Sequence, residues 1–354
     1  DVNGLPSFNY MVSAVQRKLF SRSNIGFIFV NKQTFQEEYS KDAYNEFNRV
    51  VGVDYNLNSA DNAWTGKVFY HRSIGVEKLD KEFAHGARLR YTRRRFELEW
   101  NHQWVGENYD AEVGFVPRIN FFRLNPQAEL FFYNDKGQVN QHGPSIEAEV
   151  LWTPGSGRTD HSYELSYNFN FTNTARARIS LVNNYTYLLD DFDPTRVNET
   201  AVLNAFTDYN YTNLEAFFSS DRRKKFSFFG FATAGQFFNG DRYSLRRTLT
   251  YRYQTFGSIA LSVNYNYIEL PEFEPTTLFL IGPRIDLTFT KKIFLTTFIQ
   301  YNDQIDNVNI NARFQWRFAP VSDFFLVYTD NYYASDFKTK KRAIIANMNY
   351  WLNM

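Results

Sequence analysis

The sequence predicts an all-β protein: a transmembrane antiparallel up-and-down β-barrel of about 18–20 strands in this chain, with more in the complete protein. Three observations carry that expectation. Apolar and polar residues alternate along most of the chain, the alternating segments are each about ten residues long, and the connectors tend to switch between short and long.

The alternation is clearest at Asn307 to Phe318, NVNINARFQWRF. Val308, Ile310, Ala312, Phe314, Trp316 and Phe318 fall on one side, and Asn309, Asn311, Arg313, Gln315 and Arg317 on the other. A strand points successive side chains to opposite faces, so one face is apolar and the other carries arginines and amides. SYELSYNFNF at 162–171 and GSIALSVNYNYI at 257–268 repeat the pattern, and IFLTTFIQYN puts Ile293, Leu295, Thr297, Ile299 and Tyr301 on one side.

About nineteen segments read this way. They cover about 9–19, 24–32, 47–57, 64–75, 84–92, 96–106, 126–134, 144–153, 161–171 and 176–187. They continue at about 207–218, 226–237, 243–253, 258–268, 280–289, 293–302, 307–318, 323–332 and 343–354. None has a helical period. Short connectors such as Phe20–Ser23 and Thr92–Arg95 alternate with longer ones such as Asn31–Glu46, Glu107–Asn125, Leu188–Phe206 and Leu270–Thr277. All 354 residues are expected to form one outer-membrane barrel domain, the C-terminal part of a longer protein.

Composition narrows the function classes. With no Cys, disulfides and thiolate metal sites are excluded. A net charge of +1 without long charge runs gives no basis for nucleic-acid binding. Mean hydropathy is −0.48 and apolar runs are only a handful of residues, so no segment can cross a membrane as a helix. The aromatic share is 19%, with 37 Phe and 24 Tyr.

The alternative fold is a soluble β-sandwich, with apolar faces meeting in a core. Strand length argues against it, since soluble strands average about 5–6 residues. Aromatic residues at row ends, such as Trp100, Trp104 and Trp351, suit interfacial girdles. A long run of hairpins also leaves open edges unless the sheet closes. The apolar face is therefore expected against lipid, and Arg313 and Arg317 in a wet lumen.

The segment HGARLRYTRRRFELEWNHQW allows a register test. A tight turn centred on Arg93 and Arg94 would set Tyr91 opposite Phe96, Arg90 opposite Glu97 and Arg88 opposite Glu99. This places Arg88, Arg90, Glu97 and Glu99 together on the luminal face. On a lipid face each arginine would cost about 2–4 kcal/mol at the midplane. The last segment, RAIIANMNYWLNM, ends the chain on an aromatic-bearing strand, which places the C-terminus in the periplasm and the long loops outside the cell. About nineteen strands would then leave residue 1 outside, and even strand numbers in bacterial barrels imply strands preceding it.

The runs SRSNIGFIFVNKQ, NRVVGVDYNLNSADNAWTGKVFYH, WVGENYDAEVGFVPR, LFLIGPRIDLTFTKK and NARFQWRFAPVSDFFLVYTDN resemble a Bacteroidota outer-membrane family, VGENYDAEVGFVPR being the most specific piece. Its members resemble an N-terminal carbohydrate-binding domain of the family 9 type followed by a large barrel. The resemblance implies a Gram-negative outer-membrane location, a preceding sugar-binding domain and a link to glycans. It supplies no catalytic residues.

The chemistry-bearing residues are sparse. His71, His85, His102, His142 and His161 show no metal-ligand spacing, and His102 shares the apolar phase with Trp100 and Trp104. No Ser–His pair is placed for lipid hydrolysis, so no catalytic residue, metal or cofactor is expected and the protein is read as a non-enzyme. The acidic loop Leu188–Thr200 matches no Ca²⁺ cradle and reads as a solvated loop. The basic turn Ser219–Phe226 reads as a solvated periplasmic turn. The loop Val113–Leu124, with Phe115, Arg118, Phe121 and Phe122, is a candidate extracellular contact surface for sugar rings or a partner, or a constriction folded inward.

The function expected is that of a porin-like outer-membrane protein that binds, presents or passes oligosaccharide. The alternative is a non-catalytic barrel subunit of a multi-protein envelope complex. Outer-membrane lipid and lipopolysaccharide are expected partners in both readings, with glycan in the first, envelope proteins in the second, and nucleic acid in neither.

Overall fold

The computed structural model describes residues 6–36, 40, 44–196, 201–271 and 273–352. These contain 21 antiparallel β-strands in up-and-down order and no helix. The first six are β1 (Phe8–Leu19), β2 (Ser23–Thr34), β3 (Phe47–Asn58), β4 (Trp64–Ile74), β5 (Phe83–Thr92) and β6 (Phe96–Val105). Three short strands follow, β7 (Phe121–Leu124), β8 (Gln127–Leu130) and β9 (Phe132–Tyr133). The middle of the chain forms β10 (Val139–Thr153), β11 (Gly157–Phe171), β12 (Arg176–Tyr187), β13 (Asp208–Ser219), β14 (Phe226–Phe237) and β15 (Gly240–Tyr253). It closes with β16 (Gly257–Glu269), β17 (Thr276–Thr290), β18 (Ile293–Asn302), β19 (Asn307–Ala319), β20 (Ser322–Tyr332) and β21 (Thr339–Asn349).

Two compact units are distinguished: Asp1–Phe132 with Gly143–Leu165 and Asn183–Tyr187, and Tyr133–His142 with Ser166–Val182 and Leu188–Met354. In the first, β1 to β6 pair in sequence order. In the second, β13 to β21 do the same.

The strand count differs from the expected 18–20 at one place. The segment read as a single strand at 126–134 is β8 and β9, and β7 precedes it inside what was read as loop. Strands β7 and β8 are one path interrupted at Asn125–Pro126: both pair with β6 and with β10, and the register continues across the break. Pro126 has no N–H for the ladder. The Asn125 side chain takes that place, donating from Nδ2 to the Ala148 carbonyl at 3.1 Å. The last strand also begins and ends earlier than the pattern suggested, at Thr339 and Asn349; Asn353 and Met354 lie outside the described residues.

Burial on the two faces is the reverse of a soluble sandwich. In the first unit the apolar row includes Trp64, Val68, Tyr70, Leu98, Trp100 and Trp104, each more than 40% exposed. Meanwhile Asn48, Ser73, Glu99 and Ser145, on the polar row, are buried. The described apolar clusters are small and sit beside long loops. One gathers Leu188, Leu203, Ile268, Leu270 and Phe273, and the other Ala84, Val105, Tyr109 and Phe121.

Aromatic side chains gather at both ends of the apolar row. Trp64 packs on Tyr91 at one end, 4.6 Å between rings. At the other, Trp104 meets Phe83, and Phe122 meets Trp104 and Trp152. The Trp100 indole N–H donates to His102 Nδ1 at 3.0 Å, so this histidine is held within the aromatic row.

Candidate functional site on the polar face

In the first unit the hairpin β5–β6 carries a charge ladder. Arg88, Arg90, Glu97 and Glu99 share one face, but the turn is centred one residue later than expected, on Arg94–Arg95, with the Arg93 N–H donating to the Phe96 carbonyl. Arg90 therefore stands opposite Glu99, Arg88 opposite Asn101, Thr92 opposite Glu97 and Tyr91 opposite Leu98. The ion pairs form along diagonals as well as straight across, because arginine is long enough to reach the next cross-strand neighbour. Arg88 forks onto Glu99 (2.6 and 3.0 Å), Arg90 Nε donates to Glu99 at 2.7 Å, and Arg90 also pairs with Glu97 at 3.2 Å.

The loop between β6 and β7 lies against this same polar face. The Asp110 N–H donates to Ser73 Oγ, Asn48 Nδ2 donates to the Asp110 carbonyl, and the Glu112 N–H donates to Asn48 Oδ1. Lys32 closes an ion pair with Glu112, which also accepts from Asn45. A cavity of about 380 Å³ opens beside the loop, walled by Asn48, Ser73, Glu77, Glu82, Asn108 and Asp110. Burial raises the Asp110 carboxyl above its ordinary range, and the nearby Glu112 adds to that.

This rearranges the candidate contact loop. Only Phe115 is open, at 88% exposure. Phe121 and Phe122 belong to β7, with Phe121 buried and Phe122 in the aromatic row. Arg118 is tied down, donating to Thr153, Thr159 and Asp160 at 3.1–3.2 Å. The four residues do not form one exposed patch, because the alternation of β7 sends Phe121 and Phe122 to opposite faces.

In the second unit Arg313 and Arg317 share the polar face with Asp323, Asp286 and Arg284. Arg317 pairs with Asp323 at 3.2 Å, and Asp286 accepts from Arg284 and Thr296. That face is less polar than the opening motif alone indicated. Phe294 and Phe325 stand across from Gln315, and the Arg313 and Arg317 guanidiniums lie 5.9 Å from the rings of Phe325 and Phe294.

Farther along, a cavity of about 370 Å³ is lined by Glu215, Arg242, Arg246, Asn264, Asn302 and Gln304, among others. Arg246 donates to Asn264 at 3.2 Å. The Arg242 guanidinium lies 4.2 Å from the Phe237 ring, and its Nε is enclosed without a hydrogen-bond partner among the described residues. On the adjacent strands at the same level, Asn213 is buried and its Oδ1 is likewise unpaired. Gly235 separates the two and stands opposite both. Its φ is +132°, and a Cβ there would come within 3.0 Å of the Thr212 carbonyl. The cavity wall itself offers guanidinium, carboxylate and amide groups, chemistry suited to a hydroxyl-rich ligand.

Two expectations about loops are also placed. Asp193 caps Thr195 within its own loop and Asp191 accepts from the Ala205 N–H; Asn198, Glu199 and Thr200 lie outside the described residues. No group of three or more His, Asp or Glu is positioned to hold a metal among the described residues. In the basic turn, Arg223 is bound to Asp221 at 2.9 Å, which holds that carboxyl well below its usual range.

No curated protein matches the chain. The family described as a domain of unknown function, DUF5916, matches residues 3–272, which takes in β1 to β16; the resemblances noted at 278–292 and 311–331 fall beyond the match. The chain belongs to the DUF5916 family.

Proposed function

We propose that the chain is a porin-like integral barrel of the Gram-negative outer membrane, from the Bacteroidota, with lipid on its apolar face and a wet lumen on its polar face. The inverted burial of the two faces carries the reading: exposed tryptophans and leucines over buried serines, asparagines and a glutamate are the arrangement an apolar surrounding medium favours. The twelve strands of 12 residues or more among the described residues, and the aromatic gathering at both row ends, support it. The C-terminus is then periplasmic and the long loops extracellular, with lipid and lipopolysaccharide as surroundings.

The role we propose is non-catalytic and glycan-associated: binding, presentation or passage of oligosaccharide along the polar face, in a protein that also carries a carbohydrate-binding domain of the family 9 type. The cavity at Arg242, with its orphaned donor and amide lining, supports a hydroxyl-rich ligand. Calorimetric titration of the purified protein with neutral and acidic oligosaccharides tests it. Micromolar to millimolar binding that falls at least tenfold in Arg242→Met is the expected result. Binding unchanged in that variant, or absent for every oligosaccharide, removes the glycan assignment.

A further inference from the structure

The apolar row of β15 reads Tyr243, Leu245, Arg247, Leu249, Tyr251, so a fixed cation sits in the lipid-facing phase. Its direct cross-strand neighbours are Gly230 on β14 and Val263 on β16. Arg247 is the eighth of the strand's fourteen residues, four from Tyr243 and four from Tyr251, both about half exposed. The side chain is exposed and makes no hydrogen bond, ion pair or ring contact among the described residues. Gly230 has no side chain, and the Phe228 ring lies over the space a Cβ would take there.

The same unit shows how a charge on this face is accommodated internally. Asp330 stands opposite Ile310 and Arg342, also in the apolar phase, yet it is fully enclosed. It accepts from Arg342 at 2.7 Å and from the hydroxyls of Tyr328 and Tyr332. That pair lies near the strand end, where tyrosines mark the interface. Arg247 has neither a counter-charge nor that position. Midway between two tyrosine levels it is too deep to snorkel to either surface. Lipid phosphates lie at those surfaces, out of its reach. An ionisable group at that depth calls for a partner.

We propose, resting on the membrane reading above, that Arg247 anchors a lateral interface within the bilayer, with a second transmembrane protein that presents a carboxylate at mid-depth. The guanidinium supplies a fork for that carboxylate. A second copy of this chain fits poorly, because the Asp330 carboxylate on the matching face is enclosed by its own tyrosines and arginine.

The test uses a photo-crosslinking residue at Leu249 in the full-length protein in native outer membranes. It is combined with Arg247→Lys, Arg247→Leu and Arg247→Glu. The proposal expects one discrete adduct to a transmembrane protein, weakened about two- to fivefold in the Lys variant, which keeps the charge but loses the fork, and reduced at least tenfold in the Leu and Glu variants. Changing one carboxylate of the captured protein to lysine restores it to the Glu variant. An adduct indifferent to the Glu change, lipid adducts alone, or an adduct only to a second copy overturns the proposal. Assembly is followed by heat-modifiable gel migration, and if the Glu variant does not assemble, the Lys and Leu pair decides. Quenching of tryptophan fluorescence by brominated lipid separates the two readings. Quenching with a charge-insensitive adduct sinks only the Arg247 interface, whereas loss of quenching and of every lipid adduct sinks the membrane reading as well.

Discussion

Arg88 and Glu99 are joined by two hydrogen bonds across one hairpin, 2.6 and 3.0 Å, although they do not stand opposite each other in the ladder. Glu99 is also the acceptor for Arg90, so one nearly enclosed carboxylate holds two half-exposed guanidiniums together. Removing that carboxylate leaves two like charges adjacent, with only Glu97, paired to Arg90, to offset them.

Glu99→Gln should therefore destabilise the protein by about 1–3 kcal/mol, the upper end being tempered by the exposure of both arginines. Arg88→Lys keeps the charge but loses the fork, so a smaller loss is expected. Denaturant unfolding in detergent, read by tryptophan fluorescence, gives both numbers. Equal stability of Glu99→Gln and the parent would show that the ladder is not structural.

The loop between β6 and β7 is fastened to the polar face at Asn48, Ser73 and Lys32. Lys32→Met combined with Asn48→Ala should release it. Limited trypsin digestion is then expected to cut after Arg118 at least tenfold faster than in the parent, where that side chain is held by Thr153, Thr159 and Asp160. If the loop narrows the lumen, single-channel conductance rises in the same variant. Unchanged cleavage would mean that the fastening is redundant.

Gly106 opens this loop where a Cβ would lie 1.9 Å from the Lys81 carbonyl oxygen. Backbone must move to admit even alanine, and Gly106→Ala should cost about 1–3 kcal/mol. Gly75→Ala is the control, since the nearest atom to a Cβ there is 3.8 Å away. A thermal melt that lowers both equally, or neither, contradicts the close approach.

Asp61, in the turn between β3 and β4, accepts from the Ser59 hydroxyl, the Ala63 N–H and Arg93, which bring its carboxyl down to about 2. A depressed carboxylate contributes stability that is fully present above its unfolded value near 3.8 and lost as pH falls towards 2. The stability difference between the parent and Asp61→Asn should thus be constant above about pH 4.5 and shrink through the window below it. Denaturant midpoints between pH 2 and 6 give the comparison, and a difference that stays flat to pH 2 would dissociate this carboxyl from the turn.

Much of this was legible in the residue pattern. Alternation placed Arg88, Arg90, Glu97, Glu99, Arg313 and Arg317 each on the polar side of its strand, because the period of two is a local property of an extended chain. The turn at Arg94–Arg95 was misplaced by one residue. Either position keeps all four hairpin charges on one face, so patterning alone could not choose between them. The break at Pro126 was misread for a different reason. The segment before it lacks a clean alternation, and only the pairing of β7 and β8 with the same two neighbours makes it a strand. Arg247 sat inside a correctly read strand and passed unnoticed, since a single charge scarcely alters the period.

The sequence by itself determined the β class, the two-faced strands and the family resemblance, because these depend on side-chain order along an extended backbone and on nothing farther away. Tertiary structure alone decided that Glu99 serves two arginines and that the β6–β7 loop lies on the polar face. It alone revealed that Arg242 and Asn213, level with each other across Gly235, each keep an unpaired atom, and that Asp330 is enclosed where Arg247 is bare. Each of these depends on which residues the ladder brings level across strands, and on the space the neighbouring side chains leave, and neither quantity is written in the order of residues along one strand.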